Sequence, residues 1–543
     1  MAERPSSVLD YGAFQQPPSP LFRDYLNRSE RVLPFYDGAR WDLEGVLAAA
    51  ERAAVAEGPR EVVARALAEQ QTGRGKERAA ARARSLAEPG AVAIVTGQQS
   101  VLFGGPLFVL YKALGAIKLA QLVEERRGAP AVPVFWVAAD DHDFAEIRSV
   151  SVLDDAGRIR SLRYAPKAEP VGQPASRIVL EDAIRELLDE AASCLPENPH
   201  KPAMLELLAR SYRPGVTISL AFCELLSALF PELVVLDPSD AALKRAMLPV
   251  MCRELAEASP TSRLAAEIAP RLRAAGYHQQ VPVRDGFLNL FWHTDDERRS
   301  LLWQDGAIEV RGTGRRVPLQ DAIAQLERAP ELWSPGVLLR PLAQDRMLPT
   351  AAYVGGPAEI AYHAQIGPSY AHFGIARPAL LPRPSLTLVE AANARALDAE
   401  GLGMVDLQGD PEALLAGWAR EAHPDVEQAF ARASEAVIRE MAQVEERLGA
   451  LDPTLRAAAD SARGRALHQI ETLHEKATRA LKKRDQTRAD RLRRTRDALF
   501  PGGSLQERGL GMIGALARHG TGLIEELRER MDVFATGHQV IQL

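Results

Sequence analysis

Five short apolar runs, Ala91–Val95, Val132–Val137, Leu233–Leu236, Ala351–Val354 and Ala379–Leu381, do most to limit what this chain can become. None shows the alternation of a half-buried strand, and each stands beside a segment with helical spacing. Unbroken apolar runs suit strands covered on both faces, and strands separated by helices suit right-handed βαβ units in a parallel sheet. An α/β fold with a parallel-sheet core is therefore expected.

The remaining segments fit around that core. Residues 1–90, Ala/Arg/Glu-rich with Val62, Val63, Ala66 and Leu67 at helical spacing, read as an N-terminal helical scaffold packed on it. Residues 91–280 hold the first three runs and a helical insertion. Between 281 and 330, short apolar stretches alternate with the turn signals Arg284-Asp285-Gly286 and Gln304-Asp305-Gly306, which predicts a small antiparallel β insertion. Residues 331–424 supply the second part of the core, and 500–543 return to it.

Residues 425–499 have a different texture. Val426, Phe430, Ala433, Val437, Met441, Val444, Leu448 and Leu451 recur at spacings of three and four, as do Leu455, Ala459, Ala462, Ala466, Ile470, Leu473 and Ala477. Asp452-Pro453 interrupts them, and proline suits the start of a helix but not its continuation, so two helices in an antiparallel coiled-coil hairpin are predicted. The small Ala-rich flank of the second helix suits a second hairpin, hence a homodimer. The basic run that includes Lys482, Lys483 and Arg484 reads as a solvated face.

Several function classes are set aside by composition. A net charge of −6 gives no overall field for nucleic acid or an anionic membrane. The three cysteines, Cys194, Cys223 and Cys252, form neither C-x-x-C pairs nor an even set, which fits a reducing cytoplasm. Met1–Pro5 does not open a secretion signal, and no run is long enough to span a membrane.

Chemistry concentrates at the ends of the apolar runs. Thr96-Gly97-Gln98-Gln99 follows the first, and Phe103-Gly104-Gly105-Pro106 opens a helix that carries Lys112. Gly355-Gly356-Pro357 follows the fourth and opens another. Paired glycines with proline at the first turn leave backbone N–H groups for an anion, although an isolated Gly-Gly-Pro is more often only a turn. Asp140-Asp141-His142-Asp143-Phe144-Ala145-Glu146 follows the second run. Its carboxylates could bind Mg²⁺, hold a substrate ammonium or position His142 as a base; the plainer reading is a helix N-cap cluster. Arg340 and Gln344, with Tyr362, His363 and Gln365 on the later helix, form a further candidate group. His278 and His293 read as structural. No Walker or G-x-G-x-x-G nucleotide motif is present.

Taken together, Val95–Gln99 with Leu102–Pro106, Val134–Val137 with Asp141–Phe144, Leu348–Thr350 with Gly355–Tyr362, and Phe500–Arg508 resemble the cysteine ligases of bacillithiol synthesis, the BshC family, over nearly the whole chain. Asp140 and His363 depart from the residues expected there. The resemblance implies a Rossmann-like core with inserted connections, a dimerising coiled coil, and joining of the L-cysteine carboxyl to the amine of glucosaminyl-malate. It also brings Glu359, Gln506 and Arg508 into the candidate site. A free carboxylate is a poor acyl donor, so activation by ATP as an acyl phosphate or an acyl adenylate is expected, with ATP or ADP as the expected nucleotide and Mg²⁺ as a possible companion. An ADP-like ligand could sit over the sheet or near Gln506 and Arg508. Another adenylate-forming enzyme, or a dimeric coiled-coil scaffold that only binds a metabolite, are the alternatives.

Overall fold

The computed structural model describes residues 6–543 apart from Ala39, Asp296 and Asp485. Met1–Pro5 lies outside the described residues, as do the side chains of Lys482, Lys483 and Arg484. All five apolar runs are strands of one parallel sheet: β1 (Val92–Gln98), β2 (Ala131–Val137), β3 (Val234–Leu236), β4 (Thr350–Gly355) and β5 (Ala379–Pro382). Their spatial order is β5-β4-β1-β2-β3, and each neighbouring pair is parallel. The strands are buried along almost their entire length, which is why they lack alternation.

The chain winds from β1 to β2 and β3 on one side, then returns to place β4 and β5 on the other. Strand order thus reverses between β1 and β4, and the crevice beyond the carboxyl ends of those strands is where open α/β sheets bind ligands. Helix α1 (Leu107–Arg127) makes the first crossover and ends at Gly128 in the left-handed conformation, φ 63°. Helix α2 (Ala241–Ala256) follows β3, α3 (Arg340–Met347) precedes β4, and α4 (Pro357–Phe373) links β4 to β5.

Between α2 and α3 lies an antiparallel sheet of strands Arg315–Pro318, Ala307–Val310, Arg298–Gln304, Phe287–His293 and Trp333–Pro335, in that order. Asp305 and Gly306 turn one hairpin with positive φ at both positions (49° and 76°), as a two-residue type I′ turn requires. Trp333 stacks on Trp292 across the last pair, with centroids 5.0 Å apart. The N-terminal segment is not purely helical: Ser6–Leu9 forms a strand antiparallel to His538–Gln542.

Two compact units result, one of residues 1–388 with 504–543 and one of residues 389–503. In the second unit, α5 (Pro424–Leu451) and α6 (Leu455–Arg484) form the hairpin, turned at Asp452, whose Oδ1 accepts from the Thr454 amide at 2.8 Å. The second helix of the hairpin is described as α6 to Arg484 and α7 (Gln486–Leu499), with Asp485 between them outside the described residues. The basic end of the run pairs with acids before the hairpin. Arg488 and Arg491 hold Glu400, and Arg493 holds Glu412. Among the described residues no helix is long and apolar enough to cross a membrane.

Candidate active site

At the β1–β4 switch point a cleft of about 440 Å³ opens, within the size range of small-molecule sites. Gly97, Gln98 and Gln99 supply one wall from the end of β1, and Gly356 to Glu359 another from the start of α4. Gly97 is required by its neighbour: a Cβ there would stand 2.7 Å from the Trp136 carbonyl oxygen. Trp136, Phe108, Tyr353 and Tyr362 add aromatic surface.

Lys112, buried on α1, reaches back to the strand end. Its Nζ donates to Gly97 O (2.6 Å), Gln98 Oε1 (3.2 Å) and Glu359 Oε2 (2.5 Å). Glu359 also accepts from the Gly356 amide at 2.7 Å and from the Tyr353 hydroxyl. Burial favours the neutral acid, but Lys112 and these donors outweigh it and hold Glu359 below the usual carboxylate range. Burial pulls Lys112 down from the usual lysine range, with the Glu359 charge opposing. The N-terminus of α4 therefore already holds an anion, the carboxylate of its own third residue.

Three arginines complete the cationic lining. Arg340 donates to Gln344 Oε1 and Tyr362 Oη, both at 2.9 Å, with no carboxylate partner among the described residues. Arg383 lies over the Phe108 ring (4.9 Å) and pairs with Glu507 at 2.6 Å, both side chains buried. The Arg508 side chain reaches solvent from a partly enclosed wall of the cleft and has no hydrogen-bond or ion-pair partner among the described residues. Burial and the nearby Arg383 charge lower its pKa. Lys112 and Arg383 are thus matched by Glu359 and Glu507, while Arg340 and Arg508 are not. Glu146 is the other carboxylate on the wall. Gln99 Nε2 joins it to Asp141, donating to each at 2.7 Å.

Other residues singled out from sequence stand outside this cleft. Thr96 Oγ1 donates to Val354 O (2.8 Å) and ties β1 to β4. Gly104 and Gly105, with φ 83° and 77°, turn the chain against Met512 and Val101, and the Gly104 amide donates to Tyr212 Oη at 3.2 Å. The Leu107 amide that opens α1 donates to Leu510 O (2.8 Å), so that Gly-Gly-Pro turn docks the C-terminal segment. Gln365 accepts from Val281 N and donates to Val281 O, and Gln506 does the same with Leu388. Gln344 joins Arg340 to Asp345. Gly355 ends β4 in register with Pro382.

The carboxylates after β2 diverge. Asp140 pairs with buried Lys244 at 2.6 Å, Asp141 accepts from Gln99 and from the His142 amide, and Asp143 caps the turn Phe144–Ile147. Among the described residues no group of three or more His, Cys, Asp or Glu is placed to hold a metal ion. His293 shares the buried polar cluster: its Nε2 lies 2.7 Å from Ser334 Oγ, and burial lowers its pKa to about 3.

Arg383, Phe108, Trp136 and Tyr353 were not among the site residues selected from sequence, and Glu146 was named only as the last carboxylate of the Asp140–Glu146 segment. Arg383 carried a usable signal, since it follows β5 directly at the carboxyl edge of the sheet.

These features define an α/β protein with a cationic small-molecule cleft at the sheet's switch point and a separate coiled-coil unit. Residues 9–384 match the family described as bacillithiol biosynthesis BshC, N-terminal Rossmann-like domain, and residues 386–543 match its C-terminal coiled-coil domain. A Salinibacter ruber protein, "Putative cysteine ligase BshC", is 34% identical over 98% of this chain and 99% of its own length. Relatives of the same name from Koribacter versatilis and Symbiobacterium thermophilum are 33% and 32% identical, covering 93% and 94% of this chain and 94% and 95% of their own lengths. The chain belongs to the BshC family.

Proposed function

We propose that this protein is a cytoplasmic ligase that joins the carboxyl of L-cysteine to the amine of glucosaminyl-malate in the last step of bacillithiol biosynthesis. The observation that carries the reading is the pair of cleft arginines, Arg340 and Arg508, left without carboxylate partners. A malate group brings two carboxylates, and guanidinium groups bind carboxylates in paired hydrogen bonds. Glu146, fixed by Gln99, is the acidic group suited to the substrate ammonium and to removing its proton. The names of the relatives support the choice of cysteine as the second substrate.

ATP is the proposed co-substrate, because amide formation from a free carboxylate needs an activated acyl group. The backbone N–H groups seen at the two Gly-Gly-Pro turns are engaged by Tyr212, Leu510 and Glu359, so phosphate groups would meet side-chain cations there.

Purified protein incubated with L-cysteine, glucosaminyl-malate and ATP should yield the cysteinyl amide, detected by mass spectrometry, and omission of any one component should abolish it. ATP turnover with a different amine and none with glucosaminyl-malate would favour another ligase. Metabolite binding without turnover would favour a scaffold.

The hairpin is proposed as the homodimer contact. It leaves Ile438, Val444, Leu451 and Leu473 exposed, and α5 has no buried residue. Apolar surface of this kind marks an association site, while exposed ion pairs add only about 0–1 kcal/mol each. Sedimentation should show a largely salt-insensitive dimer, and replacement of residues 425–499 by a short flexible linker should give a folded monomer. A dimer surviving the deletion would place the contact elsewhere.

A further inference from the structure

His142 stands among the carboxylates that follow β2, and its protonation follows from what faces it. Arg298, on the strand Arg298–Gln304 of the antiparallel insertion, places NH1 3.3 Å from His142 Nδ1. A guanidinium can only donate, so that nitrogen must accept. The rival partner, Asp141 Oδ1, is 3.7 Å from Nδ1, beyond hydrogen-bond reach.

Arg298 itself is held on several sides. Its Nε donates to Ser334 Oγ (2.9 Å) and its NH2 to Pro335 O (3.2 Å), both on the strand Trp333–Pro335. Its guanidinium stacks 3.7 Å above the Phe291 ring, which lies 6.1 Å from the His142 ring. The His142 side chain is 39% exposed, and its Nε2 has no partner among the described residues.

We infer that Arg298 is a positioning residue that fixes His142 as the neutral Nε2–H tautomer, so that the half-exposed imidazole presents a hydrogen-bond donor and not a base. The inference rests on the ligase reading for its use in catalysis, but not for its geometry. The groups facing the imidazole are Arg298 and Glu297 from the insertion, and Asp141 and Asp143 from its own segment. Burial and the Arg298 charge lower the His142 pKa, and the three carboxylates oppose them. Removing Arg298 leaves burial alone to oppose the three carboxylates, so the His142 midpoint should rise. As the antiparallel insertion supplies Arg298, it sets the proton position of a residue on the parallel core.

The test uses intact protein labelled with ¹⁵N-histidine, the His142 signals being those lost in His142→Gln. Long-range ¹⁵N–¹H spectra of the wild type at neutral pH should show Nε2 protonated and Nδ1 bare, with a titration midpoint below that of free imidazole side chains. In Arg298→Met the midpoint should rise by about one pH unit. An Nδ1–H or imidazolium pattern in the neutral wild type would overturn the proposal, whether or not the variant folds. An unchanged midpoint in a folded Arg298→Met protein would also overturn it. Loss of ligation with the spectra as expected would count against the ligase reading alone.

Discussion

Glu507→Gln should destabilise the protein by about 3–5 kcal/mol, the usual cost of leaving one partner of a buried ion pair uncompensated. The orphan would be Arg383, whose only carboxylate partner among the described residues is Glu507, and the Leu386 amide would lose a charged acceptor at 3.0 Å. Urea midpoints measure the loss. Arg383→Leu with Glu507→Leu together should cost less than the sum of the single changes, because neither leaves a buried charge behind. The effect has a defined pH dependence. Burial alone would raise the Glu507 pKa, but Arg383 outweighs it and holds the carboxyl below its ordinary value. A depressed folded pKa contributes stability that is present above the unfolded value, about 4.3, and is lost as pH falls through the folded one. The gap between wild type and Glu507→Gln should therefore stay level from neutral pH down to about 5 and shrink below about 4. A gap that widens with acid would mean the pair is not what holds this segment.

The second large effect concerns substrate. Arg340→Met should leave the fold intact and lower kcat/KM for the dicarboxylate substrate roughly 10- to 150-fold, equivalent to about 1.5–3 kcal/mol for a charged hydrogen bond. The change should appear in the KM for that substrate and not for cysteine. Gln344 and Tyr362, which now accept from Arg340, are uncharged but buried, so losing their donor should also lower the urea midpoint without abolishing folding. Equal increases in both KM values would show that Arg340 shapes the cleft instead of binding one substrate.

The core strands were readable because strands covered on both faces must be apolar throughout, as β1 and β2 are. Trp333–Pro335 was not readable: three residues including a proline carry no period, and only the pairing with Leu290–Trp292 makes them a strand. Ser6–Leu9 was hidden for another reason, since its partner lies at the far end of the sequence. In the site, Lys112, Arg340 and Tyr362 stood out by residue type and by place near a strand or in a helix beside one, while Glu359 entered only through the family resemblance. The glutamines show the limit of that reasoning. Gln99 faces the cleft, whereas Gln365 and Gln506 hydrogen-bond backbone groups as a neighbouring strand would. An amide side chain has the same donors and acceptor in either setting, so sequence does not separate the two uses.

The return of residues 504–543 to the first compact unit also orders events on the ribosome. All five strands of the parallel sheet are translated before the coiled-coil unit begins, yet Glu507 and Arg508 follow after it ends. A nascent chain that has reached residue 503 can possess a finished sheet while Arg383 still lacks its counter-charge and the cleft lacks one of its walls. On the substrate proposed above, competence to bind a dianion would arrive late in translation, and messages cut short within the coiled-coil region are expected to direct synthesis of a core that lacks Arg508 and binds the dicarboxylate weakly.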